Sequence, residues 1–86
     1  MALNIELKDR STPVYLQVRE QVETHIRNKT ITSGESLPSP AALAQQLSVD
    51  KGEIQRAYYE LERLGFITKK TGKDFLGKPK IEYRVT

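Results

Sequence analysis

Two closely spaced helix starts are the feature of this sequence that most restricts its fold. Ser39-Pro40 places a capping hydroxyl before a proline at the first helical position, and the helix that it opens is predicted to run through Leu47. Asp50 is predicted to cap a third helix, with Glu53 completing a capping box in which two hydrogen bonds fix the helix start. Two helices joined by a turn of about three residues are typical of a helix-turn-helix.

Another helix is predicted before this pair. Thr12-Pro13 repeats the combination of cap and proline, and the helix that follows ends near Asn28. Leu16 lies off its apolar face and is predicted to be exposed, where it can contact a second subunit. The next stretch is predicted to be a loop with an extended piece around Ser36-Leu37. The apolar face of the helix holds Val14, Tyr15, Val18, Val22 and Ile26.

The third helix is predicted to have one buried face and one open face. Gly65 follows it at the place where a left-handed residue is expected to end a helix. The buried face holds Ile54, Ala57, Tyr58, Leu61 and Leu64. The open face holds Gly52, Gln55, Arg56, Tyr59 and Arg63.

Two short strands that carry basic residues are predicted after this helix, at 66–70 and 80–85, with a turn at 71–74. A helix-turn-helix followed directly by a basic hairpin is a winged helix. The predicted fold is therefore mainly α with a small β wing, with three helices plus a two-stranded antiparallel hairpin over residues 11–86. Residues 1–10 alternate in hydropathy and are predicted to form an N-terminal arm or short strand, with apolar Leu3, Ile5 and Leu7.

The basic charge of the chain is concentrated toward its C-terminal end. The net charge over 86 residues is +3, and residues 51–86 carry nine Lys or Arg against five Asp or Glu. This asymmetry favours a polyanionic partner, most often nucleic acid, although an ordinary solvated surface gives the same pattern. The same two interpretations apply to the open face of the third helix and to the lysines of the hairpin, which can bind DNA or keep an edge soluble.

Composition and motifs exclude several other classes of protein. The absence of cysteine and the single histidine leave no disulfide and almost no zinc site, so neither a metal nor a cofactor is expected. No nucleophile is paired with a base and no glycine loop is built to hold phosphate, so the chain is predicted not to be an enzyme. No signal peptide or long apolar run is present, so a cytoplasmic protein without a membrane partner is expected. A chain this short gains stability from a second subunit, which favours a homodimer.

Six short motifs along the chain carry a resemblance to a known family. They are Pro13-Val14-Tyr15-x-Gln17-Val18, Gly34-Glu35-Ser36-Leu37-Pro38-Ser39, Leu43-Ala44-x-x-Leu47, Val49-x-Lys51, Ala57-Tyr58-x-x-Leu61-Glu62-x-x-Gly65-Phe66-Ile67 and Thr71-Gly72-Lys73. In this order they resemble the DNA-binding domain of GntR-type bacterial transcriptional regulators, over about residues 5–75. The resemblance implies a winged helix-turn-helix that binds double-stranded DNA. Its predicted contacts are Ser39, Lys51, Gly52, Gln55, Arg56, Tyr59, Lys69, Lys70, Thr71, Gly72 and Lys73.

The chain departs from this family pattern at three places. Pro40 and Ala41 stand where members typically have an acidic residue and then arginine, so a usual phosphate contact is absent. The third helix begins with Asp50-Lys51-Gly52-Glu53-Ile54-Gln55 instead of Ser/Thr-Arg-Thr-Thr-Val-Arg, and Glu53 would repel phosphate if it faced DNA. In the wing, Lys73 is followed by Asp74. Members also usually carry a C-terminal effector or oligomerisation domain, and since the sequence stops after the wing, no small-molecule effector is expected.

Two functions from different classes follow from these observations. The first is a sequence-specific DNA-binding transcriptional regulator, a repressor-like homodimer on an inverted repeat without an effector domain. Its third helix would enter the major groove, and its wing would lie against the minor groove or the phosphates. The alternative is a degenerate winged-helix module that has lost specific DNA binding and uses the same surface for another protein. Ala41, Gly52 and Glu53 favour the alternative, whereas the basic C-terminal region and Gly72 favour DNA.

Overall fold

The computed structural model describes residues 3–9 and 11–86. Their elements are α1 (Val14–Arg27), α2 (Pro40–Leu47), α3 (Lys51–Arg63), β1 (Ile67–Lys73) and β2 (Pro79–Val85). The two strands form one antiparallel hairpin. The predicted winged helix-turn-helix, with three helices and a two-stranded wing, is confirmed. None of the helices in these ranges is long and apolar enough to cross a membrane.

The core lies where the three helices meet the base of the hairpin. Tyr58 is its largest fully buried side chain, and its hydroxyl donates a hydrogen bond to the carbonyl oxygen of Pro38 at 2.8 Å. Its ring meets that of Tyr83 edge-on, with centroids 5.0 Å apart. Every element contributes apolar side chains, and each large one removed from water stabilises the fold by about 1.5–3 kcal/mol. They include Val18, Val22, Leu43, Ile54, Ala57, Leu61, Ile67, Val85 and, from the predicted loop, Ile31.

The predicted start of α2 and end of α3 are confirmed by their hydrogen bonds. Ser39 Oγ accepts the backbone N–H of Ala42 at 3.1 Å, as an N-cap does. Gly65 has a φ of 85°, in the left-handed region where glycine carries no Cβ penalty. The N–H of Phe66 then donates to the carbonyl oxygen of Leu61 at 3.0 Å, as in a Schellman motif, so the chain turns sharply from α3 into β1.

The predicted capping box at the start of α3 is wrong. The side chain of Asp50 makes no capping hydrogen bond, although the residue holds the N-cap position. Glu53 turns instead toward α1, and its Oε1 accepts the backbone N–H of Tyr15 at 3.2 Å. Because the first N–H groups of a helix lack partners within it and carry partial positive charge, a carboxylate from a neighbouring helix can take the place of a local cap.

The predicted cap of α1 is also wrong. Pro13 occupies the N-cap position, one residue later than predicted, and no side chain caps it locally. The hydroxyl of Thr12 is engaged elsewhere, since it donates to Asp9 Oδ2 at 3.3 Å while the Thr12 N–H donates to Oδ1 at 2.6 Å. These hydrogen bonds, chiefly the one from the Thr12 backbone, lower the pKa of the Asp9 carboxyl. The carboxylate of Asp9 thus closes the turn that precedes α1, and Glu53 supplies the cap.

The N-terminal arm lies along α1, and its described residues form no strand. Gln21 holds the backbone of Glu6 from both sides, accepting its N–H at 2.9 Å and donating to its carbonyl oxygen at 2.6 Å. Gln17 is buried and accepts the N–H of Lys8 at 2.8 Å. With the arm held by these bonds, Ile5 lies buried in the core. Three residues of the predicted arm 1–10, namely Met1, Ala2 and Arg10, lie outside the described ranges, and the boundary at residue 10 stays a prediction.

The hairpin is longer than predicted. The turn predicted at 71–74 is wrong, because strand pairing continues through Lys73 and the chain reverses over residues 74–78. Asp74 Oδ1 accepts the backbone N–H groups of the residues two and four positions later, at 2.9 and 3.0 Å. Gly77, with φ 79°, is the turn residue that needs glycine. The motif Thr71-Gly72-Lys73 therefore lies in β1 and not in the turn at the tip of the hairpin.

A third extended segment completes the sheet. The predicted extended piece at Ser36-Leu37 is confirmed, since Ser36 forms a bridge with Arg84. The N–H of Leu37 donates to the carbonyl oxygen of Tyr83 at 2.8 Å, and that of Gly34 donates to Val85 at 2.8 Å. This segment covers the edge of β2 and ties the wing to the loop before α2.

Two apolar residues lie in other environments than predicted. Leu16 is half-buried and not exposed, and Leu64 is exposed at 58% although its helical angle predicted burial. Leu64 is the C-cap of α3. Since the chain leaves helical geometry at this residue, the angle extrapolated from the preceding turns no longer gives its direction.

Candidate nucleic-acid interface

The open face of α3 is the first part of the site, and the core positions it. Ile54, Ala57 and Tyr58 are fully buried, so the opposite side of the helix points to solvent. Tyr59 lies near the middle of that side with 59% of its surface exposed. Gly52, in the first turn, is also exposed, and the nearest atom to a Cβ built there is Asp50 Oδ2 at 3.9 Å. At Gly52 the backbone is therefore open to a partner, with the Asp50 carboxylate beside it.

A groove joins α3 to α2 and the wing. It encloses about 190 Å³ and lies between the first residues of α2, the start of α3 and β2. Three predicted contacts meet there, namely Ser39, which caps α2, and Lys51 and Gln55 of α3, together with Ile81 and Tyr83 from β2. Ile81 is 53% exposed and was not predicted as part of the site. The groove thus offers a cation, an amide and a hydroxyl beside an apolar wall.

On the other edge of α3, Arg56 is stacked on α1. Its guanidinium carbon lies 3.9 Å from the centroid of the Tyr15 ring, a cation–π contact. Within the described residues its guanidinium forms no hydrogen bond or ion pair. The N–H of the same Tyr15 is the one that Glu53 caps. Arg56 is therefore held in one direction at the rim of the interface, with its donors available.

Two acidic residues of α3 are engaged away from the open face. Glu53 caps α1, so it does not face a partner of α3. Glu60 accepts from Arg63 Nη1 at 3.2 Å and lies 3.9 Å from Arg19 Nη1. These contacts turn two carboxylates away from the open face, whose first turns carry the exposed cations Lys51 and Arg56 beside the exposed carboxylate of Asp50.

The wing cations divide between two faces of the hairpin. The register pairs buried Ile67 with buried Val85, and alternate residues of a strand share a face. The inner wing face, on the side of Ile67, holds Lys69, Thr71, Lys73, Ile81 and Tyr83. The outer wing face holds Lys70, Gly72, Lys80 and Glu82. The predicted wing contacts therefore do not form a single surface, and only those of the inner wing face share a side with the groove.

Lys70 has an acidic residue as its neighbour across the hairpin. It stands directly opposite Glu82 in the register. Glu82 accepts a hydrogen bond from Ser36 Oγ at 2.9 Å and pairs with Arg84 at 2.9 Å. The Ser36 bond is the largest of the effects that lower the pKa of the Glu82 carboxyl. The sequence analysis missed Lys80, which lies opposite Gly72, although the alternation of β2 was the signal that places it on this face.

Within residues 3–9 and 11–86, no three His, Cys, Asp or Glu side chains come together as a metal site requires. The site is instead a surface of cations, amides and exposed rings that spans α3, the start of α2 and the wing.

Comparison with known proteins finds relatives that share one family. The profile of the family "Bacterial regulatory proteins, gntR family" matches residues 14–76. The chain is 38% identical over 63 residues to the uncharacterized HTH-type transcriptional regulator YhcF of Bacillus subtilis. The aligned residues are 73% of this chain and 52% of YhcF. Three further relatives carry the name transcriptional repressor. The chain thus spans about half the length of YhcF and less of several others.

Solved structures give the same result. YtrA from Sulfolobus acidocaldarius, a GntR-family transcription factor, superposes with a TM-score of 0.77 at 30% identity, over 98% of this chain and 79% of that one. The DNA-binding domain of AraR in complex with operator ORX1 has the same fold, with a TM-score of 0.67 at 21% identity over 100% and 99% of the two chains. The family and the named relatives are transcription regulators and not enzymes.

Proposed function

Because the chain belongs to the gntR family of bacterial regulatory proteins, we propose that it is a sequence-specific DNA-binding transcriptional regulator that represses as a homodimer on an inverted repeat. In this proposal α3 lies in the major groove and the wing lies against the neighbouring minor groove or phosphates. Binding by these 86 residues needs no small molecule. A regulator of this kind works in the cytoplasm, where bacterial DNA lies.

The observation that carries the proposal is the open face of α3. The sequence places Glu53 near this face, where its charge would oppose binding to phosphate. The carboxylate is instead used to cap α1, and Arg56 is held at the rim by Tyr15. A helix whose buried side is fixed by the core and whose free side presents Lys51, Arg56 and the amide of Gln55 has the shape and the donors that fit the major groove.

Gln55 is the residue proposed to read a base. It lies in the groove beside Lys51, about one turn into α3. A glutamine there can donate to and accept from the edge of one adenine, which gives about 1–3 kcal/mol of discrimination. Lys51 has no fork for bidentate contacts, so it contributes charge and little base selectivity.

Phosphate contacts are proposed to supply most of the affinity. Lys51 and Arg56 on α3, with Lys69 and Lys73 on the inner wing face, can together neutralise roughly three to five phosphates per subunit. Affinity then falls steeply as salt rises. Repression follows from occupancy, because a dimer bound over a promoter blocks the same stretch of duplex for other proteins.

Selection of duplexes from a random pool, followed by binding titrations at two salt concentrations, tests this proposal. The wild-type chain is expected to enrich an inverted repeat and to bind it less tightly at higher salt. Gln55→Ala is expected to lose the preference at one base pair in each half-site, with nonspecific affinity and melting temperature unchanged. The matched control is Gln46→Ala, which truncates an exposed glutamine at the other end of α2.

The same experiment decides against the proposal if no duplex is enriched. It also does so if the Gln55→Ala profile equals that of the wild type while a protein partner captured by the wild-type chain is lost. Either result favours the interaction module, which the uncharged Ala41 at the start of α2 would suit.

A further inference from the structure

The tip of the wing is a rigid turn. The N–H of Asp74 donates to the carbonyl oxygen of Lys78 at 2.9 Å, and the N–H of Gly77 donates to that of Asp74 at 2.9 Å. The Asp74 carboxylate accepts two more backbone N–H groups of the same turn. Four hydrogen bonds within five residues fix the backbone, so the side chains at the tip are presented without a further entropy cost for ordering it.

This rigid turn presents two apolar side chains to solvent. Phe75 is 94% exposed and Leu76 is 66% exposed. Single exposed apolar residues are common on protein surfaces. An aromatic ring beside a leucine on a turn held by four hydrogen bonds is a different case, because nothing in the described residues covers either side chain and the turn keeps them outward.

Three lysines flank these two side chains along the sequence. Lys73 precedes the turn, Lys78 ends it, and Lys80 follows in β2. Asp74 is the one acidic residue between Lys73 and Lys80, and its carboxylate is engaged by the turn itself. An apolar tip flanked by lysines complements a target that is apolar inside and anionic at its borders. The minor groove of DNA, with stacked bases between two phosphate backbones, has this pattern.

The wing is long enough to reach that groove. Each strand has seven residues, so the ladder extends about 20 Å at about 3.3 Å per residue. The long axis of the molecule is 42 Å, against 26 and 23 Å for the others. A minor groove lies roughly half a helical turn, about 17 Å, from the major groove that α3 would occupy. The hairpin is therefore long enough for its tip to reach the adjoining minor groove.

We propose that Phe75, with Leu76 beside it, is an apolar wedge that enters the minor groove next to the α3 site and partly unstacks one base step. This inference rests on the proposed function and adds a residue that determines specificity. Lys73 and Lys78 contact the phosphates on either side of the wedge. Because pyrimidine–purine steps unstack most easily, the wedge selects for a flexible step at a position that α3 never touches.

The test uses the full chain and duplexes enriched by the selection described above, with 2-aminopurine placed in turn at each step beside the α3 site. Binding of the wild-type chain is expected to raise the fluorescence at one step. Phe75→Ala is expected to abolish this rise and to weaken binding by about tenfold, as loss of a stacked aromatic does. Its salt dependence stays that of the wild type. Leu64→Ala, which removes another exposed apolar side chain away from the wing, is the control and keeps the rise.

Each other outcome overturns the wedge in a distinguishable way. Tight, specific binding without any rise in fluorescence leaves the proposed function standing and removes the wedge. Failure to bind any duplex removes both. Binding of the wild-type chain to phosphatidylglycerol vesicles that is lost in Phe75→Ala, with no unstacking of DNA, assigns the tip to an anionic membrane surface instead.

Discussion

At the scale of single residues, Glu53 caps a helix as its chemistry predicts, but the helix is not the one that the sequence indicates. A glutamate at the third position of a helix is predicted to cap its own helix. Here it caps the neighbouring one, because the N–H of Tyr15 lies within 3.2 Å of its carboxylate. The same residue thereby joins α1 to α3 and removes a negative charge from the open face.

Replacing each of the two predicted capping residues with alanine distinguishes a cap on α1 from a local cap on α3. Glu53→Ala is expected to lower the free energy of unfolding by about 1 kcal/mol, because the N-terminus of α1 loses both a hydrogen bond and a favourable charge. Asp50→Ala, at the N-cap position whose side chain makes no capping bond, is expected to cost less than half of that. Urea unfolding of both variants measures the difference. Equal losses in the free energy of unfolding would instead support the local capping box.

Tyr58 gives a prediction about alkaline stability. Burial is the main effect that raises the pKa of its hydroxyl above the ordinary value near 10. The folded state therefore disfavours the ionised phenol. This contribution to stability is fully present below pH 10 and is lost as pH rises above it, because the unfolded chain releases the proton first.

The variant Tyr58→Phe is expected to be less stable than the wild type at pH 7, since it lacks the bond to Pro38. The difference is expected to shrink between pH 10 and 11, because phenylalanine cannot ionise in the unfolded state. Urea unfolding at the three pH values measures the difference. Tyr59→Phe, at an exposed tyrosine, is the control, and a constant Tyr58→Phe difference would show that ionisation of Tyr58 plays no part.

At the scale of elements, the hairpin is where register matters most. Lys69 and Lys70 are neighbours in sequence but lie on opposite faces, because side chains alternate along a strand. A count of basic residues treats them as equal. The structure makes one a member of the inner wing face and sets the other opposite Glu82.

Single substitutions in the hairpin are therefore expected to differ. Lys69→Ala is expected to reduce the slope of log affinity against log salt by about one, the effect of one lost phosphate contact. Lys70→Ala, on the outer wing face, is expected to change it by much less. Binding titrations across a range of salt concentrations on one duplex provide the measurement. Equal slopes for the two variants would mean that DNA contacts both faces of the wing.

At the scale of the whole molecule, shape and charge bear on the proposed homodimer on DNA. The two shorter dimensions are 26 and 23 Å, and half-sites on one side of a duplex are about 34 Å apart. Two copies fit in neighbouring major grooves when their long axes, of 42 Å, do not point toward one another along the duplex. In the proposed complex, the net charge of +3 would attract each copy to the duplex, and the binding energy would add over the two half-sites.

Sedimentation of the chain with selected duplexes tests this arrangement. A duplex with an inverted repeat is expected to carry two chains, and a duplex with one half-site is expected to carry one chain with weaker binding. The chain alone at micromolar concentration provides the reference. One chain per inverted repeat at saturation would exclude the homodimer on DNA.

The sequence by itself determined the elements and their order, because caps, glycines and apolar spacing act over a few residues. Ser39 and Gly65 set the ends of α2 and α3 through bonds within one helical turn, and the alternating strands required a hairpin. Tertiary structure decided what depends on distant neighbours. In the folded chain the carboxylate of Glu53 caps α1, the guanidinium of Arg56 stacks on the ring of Tyr15, and Phe75 lies exposed at the tip of a wing that is longer than predicted. Local patterns name the groups that need partners, but in a folded chain those partners can come from any part of the sequence, and only packing selects among them.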